Sequence, residues 1–180
     1  MMILTDDRMM QLKKYIMKSF RESGKKHLLI TGSKKSGKTS VLNEILKDEI
    51  SIGGIITYAI RDDKIAPKYV VLRDFNDQHI NGVIAKRSNS GTALIPVTET
   101  FESLGAGILR NYNNDDEIDL IVIDEIGFLE NNAIHYQNEI IKIFDKRVIA
   151  VLRKESTPFI EKLTQRHDIY LIDIDEFIIP

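Results

Sequence analysis

The sequence predicts an α/β fold, a mostly parallel sheet with helices on both faces. Three observations carry that expectation. Apolar runs of strand length alternate with stretches of helical spacing along the chain. One run, His27-Leu28-Leu29-Ile30-Thr31, passes into Gly32-Ser33-Lys34-Lys35-Ser36-Gly37-Lys38-Thr39-Ser40 and then into a helical pattern. Another, Asp119-Leu120-Ile121-Val122-Ile123-Asp124-Glu125, is continuously apolar and ends in two acids, as expected of a buried parallel strand whose C-terminal end opens into a site.

Thr5 is placed to cap a first helix, because Met9, Leu12, Tyr15, Ile16 and Phe20 recur at helical spacing and Gly24 is a natural stop. That stripe reads as core packing rather than as a membrane or partner surface. The helix after the glycine-rich loop is expected from Lys38 towards Lys47. Between residues 53 and 90 the pattern changes. The runs Ile55 to Ile60 and Tyr69 to Leu72 flank Arg61-Asp62-Asp63-Lys64, which reads as an inserted β-hairpin. A short strand over Ala93 to Val97, a helix over Glu99 to Tyr112 and a polar loop at 113–116 precede the acid-tipped strand. A helix from about Asn132 to Asp145 should bury Ile134, Ile140, Ile141 and Phe144. The last strands are Val148 to Leu152 and Ile169 to Ile174, around a helix begun by Ser156-Thr157-Pro158. The whole chain, 1–180, reads as one domain, with 1–25 as an extra N-terminal helix.

The pattern Gly-x-x-x-x-Gly-Lys-Thr between a strand and a helix is a phosphate-binding loop. A chain wrapping a triphosphate turns its amides inward, and Gly32 and Gly37 supply the backbone freedom this needs. Residues Gly32 to Ser40 are therefore the candidate nucleotide-binding segment. Lys38 is expected to reach the β- and γ-phosphates, and Thr39 to give its hydroxyl to Mg²⁺. The helix N-terminus adds partial positive charge. Asp124 is placed to share that Mg²⁺, and Glu125 to polarise a water for in-line attack on the γ-phosphate.

Composition limits the alternatives. The chain has 180 residues, 43% hydrophobic and 29% charged, enough for one core. A net charge of -2 gives no electrostatic footprint for nucleic acid. With no cysteine, neither disulfides nor thiolate metal sites are available. The start carries acids where a signal peptide carries bases, and no apolar run approaches bilayer length, so a cytoplasmic protein without membrane contact is expected. His27, His79, His135 and His167 show no ligand spacing and read as surface or core histidines.

These pieces resemble the nucleoside-triphosphatase family that includes the human cancer-related nucleoside-triphosphatase and its thermophile relatives. Beyond Gly32 to Thr39, the resemblance lies in Gly53-Gly54-Ile55-Ile56-Thr57 with Arg61 following. It continues in Val122-Ile123-Asp124-Glu125-Ile126-Gly127 with Glu130, and in Arg166-His167-Asp168-Ile169. It implies a RecA-like core within the P-loop NTPase class, and Mg²⁺-dependent hydrolysis of ATP, GTP and other nucleoside triphosphates to diphosphate and phosphate. The chain departs from the family pattern in three ways: the added N-terminal helix, Phe128-Leu129-Glu130 in place of Lys-Met-Glu, and no Asn-Arg pair after the last strand.

Hydrolysis needs a cation for the charge that develops on the γ-phosphoryl oxygens. Arg153 is the first candidate, since in a RecA-like order its strand lies beside the phosphate-loop strand. Arg61 is the second, although Asp62 offers it a structural partner. Two other classes remain open at this point: a small-molecule or nucleotide kinase, and a nucleotide-dependent adaptor that engages a protein partner. Against the kinase, Ser156 to Thr164 contains no arginine for a lid.

Overall fold

A computed structural model describes residues 6–62 and 66–177. The chain begins with α1 (Asp6–Ser23), β1 (His27–Thr31) and α2 (Lys38–Leu46). Four strands follow: β2 (Ile52–Ile60), β3 (Tyr69–Asp74), β4 (Asn81–Arg87) and β5 (Leu94–Pro96). Next, α3 (Thr98–Thr100) continues through a π-helical stretch, Phe101–Gly105, into α4 (Ala106–Asn113). The remainder is β6 (Leu120–Ile126), α5 (Ile134–Lys142), β7 (Arg147–Leu152), α6 (Pro158–Thr164) and β8 (Ile169–Asp173). Short 3-10 turns, Ile143–Asp145 and Ile174–Glu176, follow α5 and β8.

All eight strands form one sheet in the order β5-β4-β3-β2-β6-β7-β1-β8. The pairings from β2 through β6, β7 and β1 to β8 are parallel, and those from β2 out to β5 are antiparallel. Strand period two divides the core cleanly. Leu29, Ile121, Ile123, Val148, Ala150 and Leu152 face one side with Leu109, Tyr136, Ile140 and Leu163 from the helices. Leu28, Ile30, Leu120, Val122, Ile149 and Val151 face the other, under α1 and α2. Strands apolar on both faces are the reason the sheet carries helices on both.

Three expectations are refined. The segment 53–90 is not a separate hairpin: β2 joins the parallel sheet through β6 while its far half pairs with β3, and a further strand, β4, extends the antiparallel wing. Gly54 makes the junction possible. Its φ is +136°, and a Cβ there would fall 2.0 Å from the Val122 carbonyl oxygen. The strand β4 has little apolar signature in the sequence, since Asn81, Lys86 and Arg87 leave only a short apolar centre, and its pairing with β3 shifts register between Val70 and Val71. Ile134 is 56% exposed rather than buried, because it opens α5; Ile140 and Phe144 are buried as expected, and Tyr136 and Ile143 join them in the core.

The N-terminal helix is core. Leu12, Ile16 and Phe20 are buried against Val41, Leu42 and Ile45 of α2 and Ile172 beneath them. Lys13 adds an ion pair to Asp48 at 2.8 Å. Tyr15 stays half-exposed, its ring 5.0 Å from that of Phe177. The expected Thr5 cap and the Asp63-Lys64 half of the hairpin turn lie outside the described residues. At the other end of the chain, Thr157 caps α6 as expected, accepting the Ile160 amide at 3.2 Å. Among the described residues no helix is long and apolar enough to cross a membrane.

Candidate active site

The C-terminal ends of β1, β6 and β7 converge on one opening. The loop after β1 enters α2 through Gly37, whose φ of +102° is in the left-handed region that favours glycine. The first turn of α2 has neither a side-chain cap nor an acid, so its free amides point at the loop interior, the arrangement that receives an anion. Lys38 is buried with its ammonium 2.9 Å from both the Gly32 and Ser33 carbonyl oxygens. It therefore lies folded along the loop that a polyphosphate would occupy.

The outer side of the loop is tied to the turn Ile174–Glu176 after β8. Asp175 accepts the Ser33 amide at 2.7 Å and the Ser33 hydroxyl at 3.1 Å. Lys154, at the end of β7, bridges Asp173 at 2.6 Å and Asp175 at 3.3 Å. The Ser33 amide is thus held by a carboxylate brought from 142 residues away.

Asp124 and Glu125 lie near the C-terminal end of β6, which runs one residue further to Ile126, and β7 lies between β6 and β1. That register brings Arg153, just past β7, across to Glu125. The Arg153 Nε donates a short hydrogen bond to Glu125 Oε1, and the guanidinium lies 5.2 Å from the Phe128 ring centroid. Burial pushes the Asp124 carboxyl up to about 6; the Thr39 hydroxyl hydrogen bond and Lys38 oppose the rise, while Glu125 adds to it. Glu130 is buried and accepts the Gly127 amide at 2.5 Å, which fixes the turn after β6. Burial raises its carboxyl to about 7.

Two cavities meet at this point. The first, of about 620 Å³, is lined by Gly32 to Ser40 with Glu125, Arg153, Lys154 and Glu155. The second, of about 550 Å³, shares Lys34, Thr39, Glu125 and Arg153 and adds Asp124, Tyr58, Arg61 and Phe128. The loop, Glu125 and Arg153 therefore come together as expected, and Arg61 does not join them in the first cavity. Asp62 pairs with Arg87 at 2.9 Å and lies 3.7 Å from Lys68, so it does not serve Arg61. Sequence reasoning missed Lys154 and Asp175. The only signal for them was that both follow strands flanking β1.

Thr39 and Asp124 are the side chains that could hold a divalent cation. A buried carboxylate of raised pKa beside a threonine hydroxyl is a pair of hard oxygen donors short of positive charge. No cluster of three or more His, Cys, Asp or Glu side chains suited to a metal occurs among the described residues. Mg²⁺ at a phosphate site needs only one or two protein oxygens, since substrate phosphates and water complete its shell.

A glycine-bounded loop feeding an uncapped helix, with paired acids on a strand two places away, defines a P-loop nucleotide-binding protein. The NTPase family model matches residues 27–177, and the chain belongs to that family. It is similar to nucleoside-triphosphatase THEP1 of Thermotoga sp. strain RQ2, at 30% identity over 158 residues covering 83% of this chain and 86% of that one. The Thermotoga maritima protein of the same name is 28% identical over 156 residues, with the same coverages. The Archaeoglobus fulgidus protein is 24% identical over 151 residues, covering 80% and 87%. The fold matches the crystal structure of THEP1 from Aquifex aeolicus with a TM-score of 0.64 at 19% identity, over 82% of this chain and 88% of that one. The family resemblance and the P-loop α/β fold expected from the sequence are borne out.

Proposed function

We propose that this nucleoside-triphosphatase hydrolyses ATP or GTP, and other nucleoside triphosphates, in a Mg²⁺-dependent reaction centred on Glu125 and Arg153. The observation that carries the reading is their meeting at the mouth of the phosphate-loop cavity, beside Thr39 and Asp124. Gly32 to Ser40 would wrap the triphosphate, with Lys38 leaving the Gly32 and Ser33 carbonyls for the β- and γ-phosphates. Thr39 and Asp124 would hold Mg²⁺, which when bound neutralises phosphate charge. Glu125 orients the attacking water and accepts its proton. Arg153 pairs with Glu125 before substrate arrives, and the γ-phosphoryl oxygens compete for the same guanidinium. Its move to the phosphate would leave Glu125 free to face the water.

The N-terminal helix offers the adaptor alternative no partner surface in its apolar stripe, because Leu12, Ile16 and Phe20 are buried within the fold. The test is phosphate release from ATP and GTP with Mg²⁺ and no added acceptor. Lys38→Ala and Glu125→Gln should each abolish release, and Glu125→Gln should retain nucleotide binding. Phosphate release unchanged in Glu125→Gln would remove Glu125 as the base.

A further inference from the structure

Arg153 reaches Glu125 along a path that the turn after β6 leaves open. Its own amide donates to the Ile126 carbonyl oxygen at 2.9 Å, which fixes the root of the side chain beside the end of β6. The stem then crosses Gly127. A Cβ at Gly127 would lie 2.7 Å from Arg153 Cδ, 3.1 Å from Cγ and 3.4 Å from Nε, and these are the three nearest atoms it would meet. Gly127 does not have a positive φ, so the backbone alone does not call for glycine there. What a side chain at 127 would displace is Arg153. Beyond the glycine, the guanidinium lies 5.2 Å from the Phe128 ring centroid, within the range of a cation–π contact. Buried Glu130 accepts the Gly127 amide at 2.5 Å and so holds the turn that carries both residues. The stem of Arg153 is thus fixed by groups that nucleotide does not touch, while its tip pairs with Glu125 and, at 3.9 Å, with Glu155 at the wall of the phosphate-loop cavity. Residue 128 is also where this chain departs from the Lys-Met-Glu pattern. A ring stands in the place of the lysine, and the cation at this point comes from the end of β7 instead.

We propose that Gly127 and Phe128 are positioning residues for Arg153. The bare backbone of the first admits the arginine stem, and the ring of the second carries the guanidinium as it passes from Glu125 to the γ-phosphoryl oxygens. This rests on Arg153 being the cation of the γ-phosphoryl group. Arginine is rich in rotamers, and fixing it only at the moment of reaction costs entropy. A stem confined in advance has met that cost in folding, which leaves few torsions for the tip to settle. An aromatic face suits the moving end, because a ring attracts a cation without holding it to one hydrogen-bonding geometry. Glu125 holds it more tightly before substrate arrives. The benefit falls on the chemical step rather than on nucleotide binding, since the contact with the phosphoryl oxygens strengthens as charge develops on them.

The test is phosphate release from ATP and GTP with Mg²⁺ across a set of variants, with nucleotide affinity and urea unfolding measured on the same samples. Gly127→Ala should lower kcat by about 10²-fold, the cost of misplacing a catalytic group by about 1 Å, with KM within about threefold of the natural chain's. Phe128→Leu, which keeps apolar packing without the ring, should lower kcat about tenfold, and Phe128→Tyr should retain most of the natural rate. In the double variant Gly127→Ala/Arg153→Ala, kcat should match that of Arg153→Ala alone, because both changes act through one side chain. Losses that multiply in the double variant overturn the inference, since Gly127→Ala would then disturb something other than Arg153. Equal losses in Phe128→Leu and Phe128→Tyr overturn it too. A kcat lowered by Arg153→Ala but unchanged in Gly127→Ala and Phe128→Leu overturns it alone and leaves the role of Arg153 standing. A kcat unaffected by Arg153→Ala overturns that role and the inference together.

Discussion

Replacing Arg153 by alanine separates a transition-state role from a structural one. The Arg153–Glu125 pair has side chains 30% and 26% exposed, so solvent screens it and its worth to stability is about 0.2 to 1 kcal/mol. The contact with the Phe128 ring adds about 0.5 to 1 kcal/mol. Arg153→Ala should therefore destabilise the fold by only about 1 kcal/mol, a fall in Tm of roughly 2 to 4 °C for a domain of this size. An arginine placed on the γ-phosphoryl oxygens is worth about 10³ to 10⁵ in rate, at least about 4 kcal/mol of the barrier. The two effects differ enough to be told apart. Steady-state phosphate release at saturating nucleotide, with binding and thermal unfolding measured alongside, should show kcat down by about 10³ or more. A kcat within threefold of the natural chain's, with only the Tm lowered, would refute the assignment and leave Arg153 a partner that holds Glu125.

Other outcomes follow from the same geometry. Ile16→Ala should cost about 2 to 5 kcal/mol in urea unfolding, because Ile16 is fully buried under α2, and phosphate release below the melting range should persist. A cost below about 1 kcal/mol would mean that α1 is dispensable. His27 is buried between β8 and Phe144, and burial lowers its pKa to about 4, against the pull of Asp168. The unfolded chain takes up that proton first, so the contribution of His27 to stability should be complete above about pH 6.5 and be lost as pH falls towards 4, by on the order of 3 kcal/mol, while the raised carboxyls of Asp124 and Glu130 act in the opposite sense over that range. In a pH series of unfolding midpoints, the difference between His27→Leu and the natural chain should isolate the His27 contribution. Glu130→Ala should cost about 1 to 3 kcal/mol by leaving the buried Gly127 amide unpaired, and Glu130→Gln, which keeps an acceptor, distinctly less. Equal losses in the two variants would mean that the Gly127 contact contributes little.

Much of this protein was legible in one dimension because it depends on local pattern. The phosphate loop has a fixed spacing set by how a backbone wraps phosphate. The strands β1, β6 and β7 are unbroken apolar runs because both faces of a parallel sheet are covered. The sequence by itself therefore determined the class of fold, the loop Gly32 to Ser40 and the acids Asp124 and Glu125. What it could not determine was which distant segments meet. That β2 belongs to both the parallel sheet and the antiparallel wing depends on Gly54 lying against Val122. That α1 is core depends on the apolar face α2 leaves open beside β8. The Asp175 contact with Ser33, the Arg153–Glu125 pair and the second cavity all join residues tens to more than a hundred positions apart. Such meetings follow from strand order and packing, which emerge only when the whole core closes, and no local periodicity encodes them.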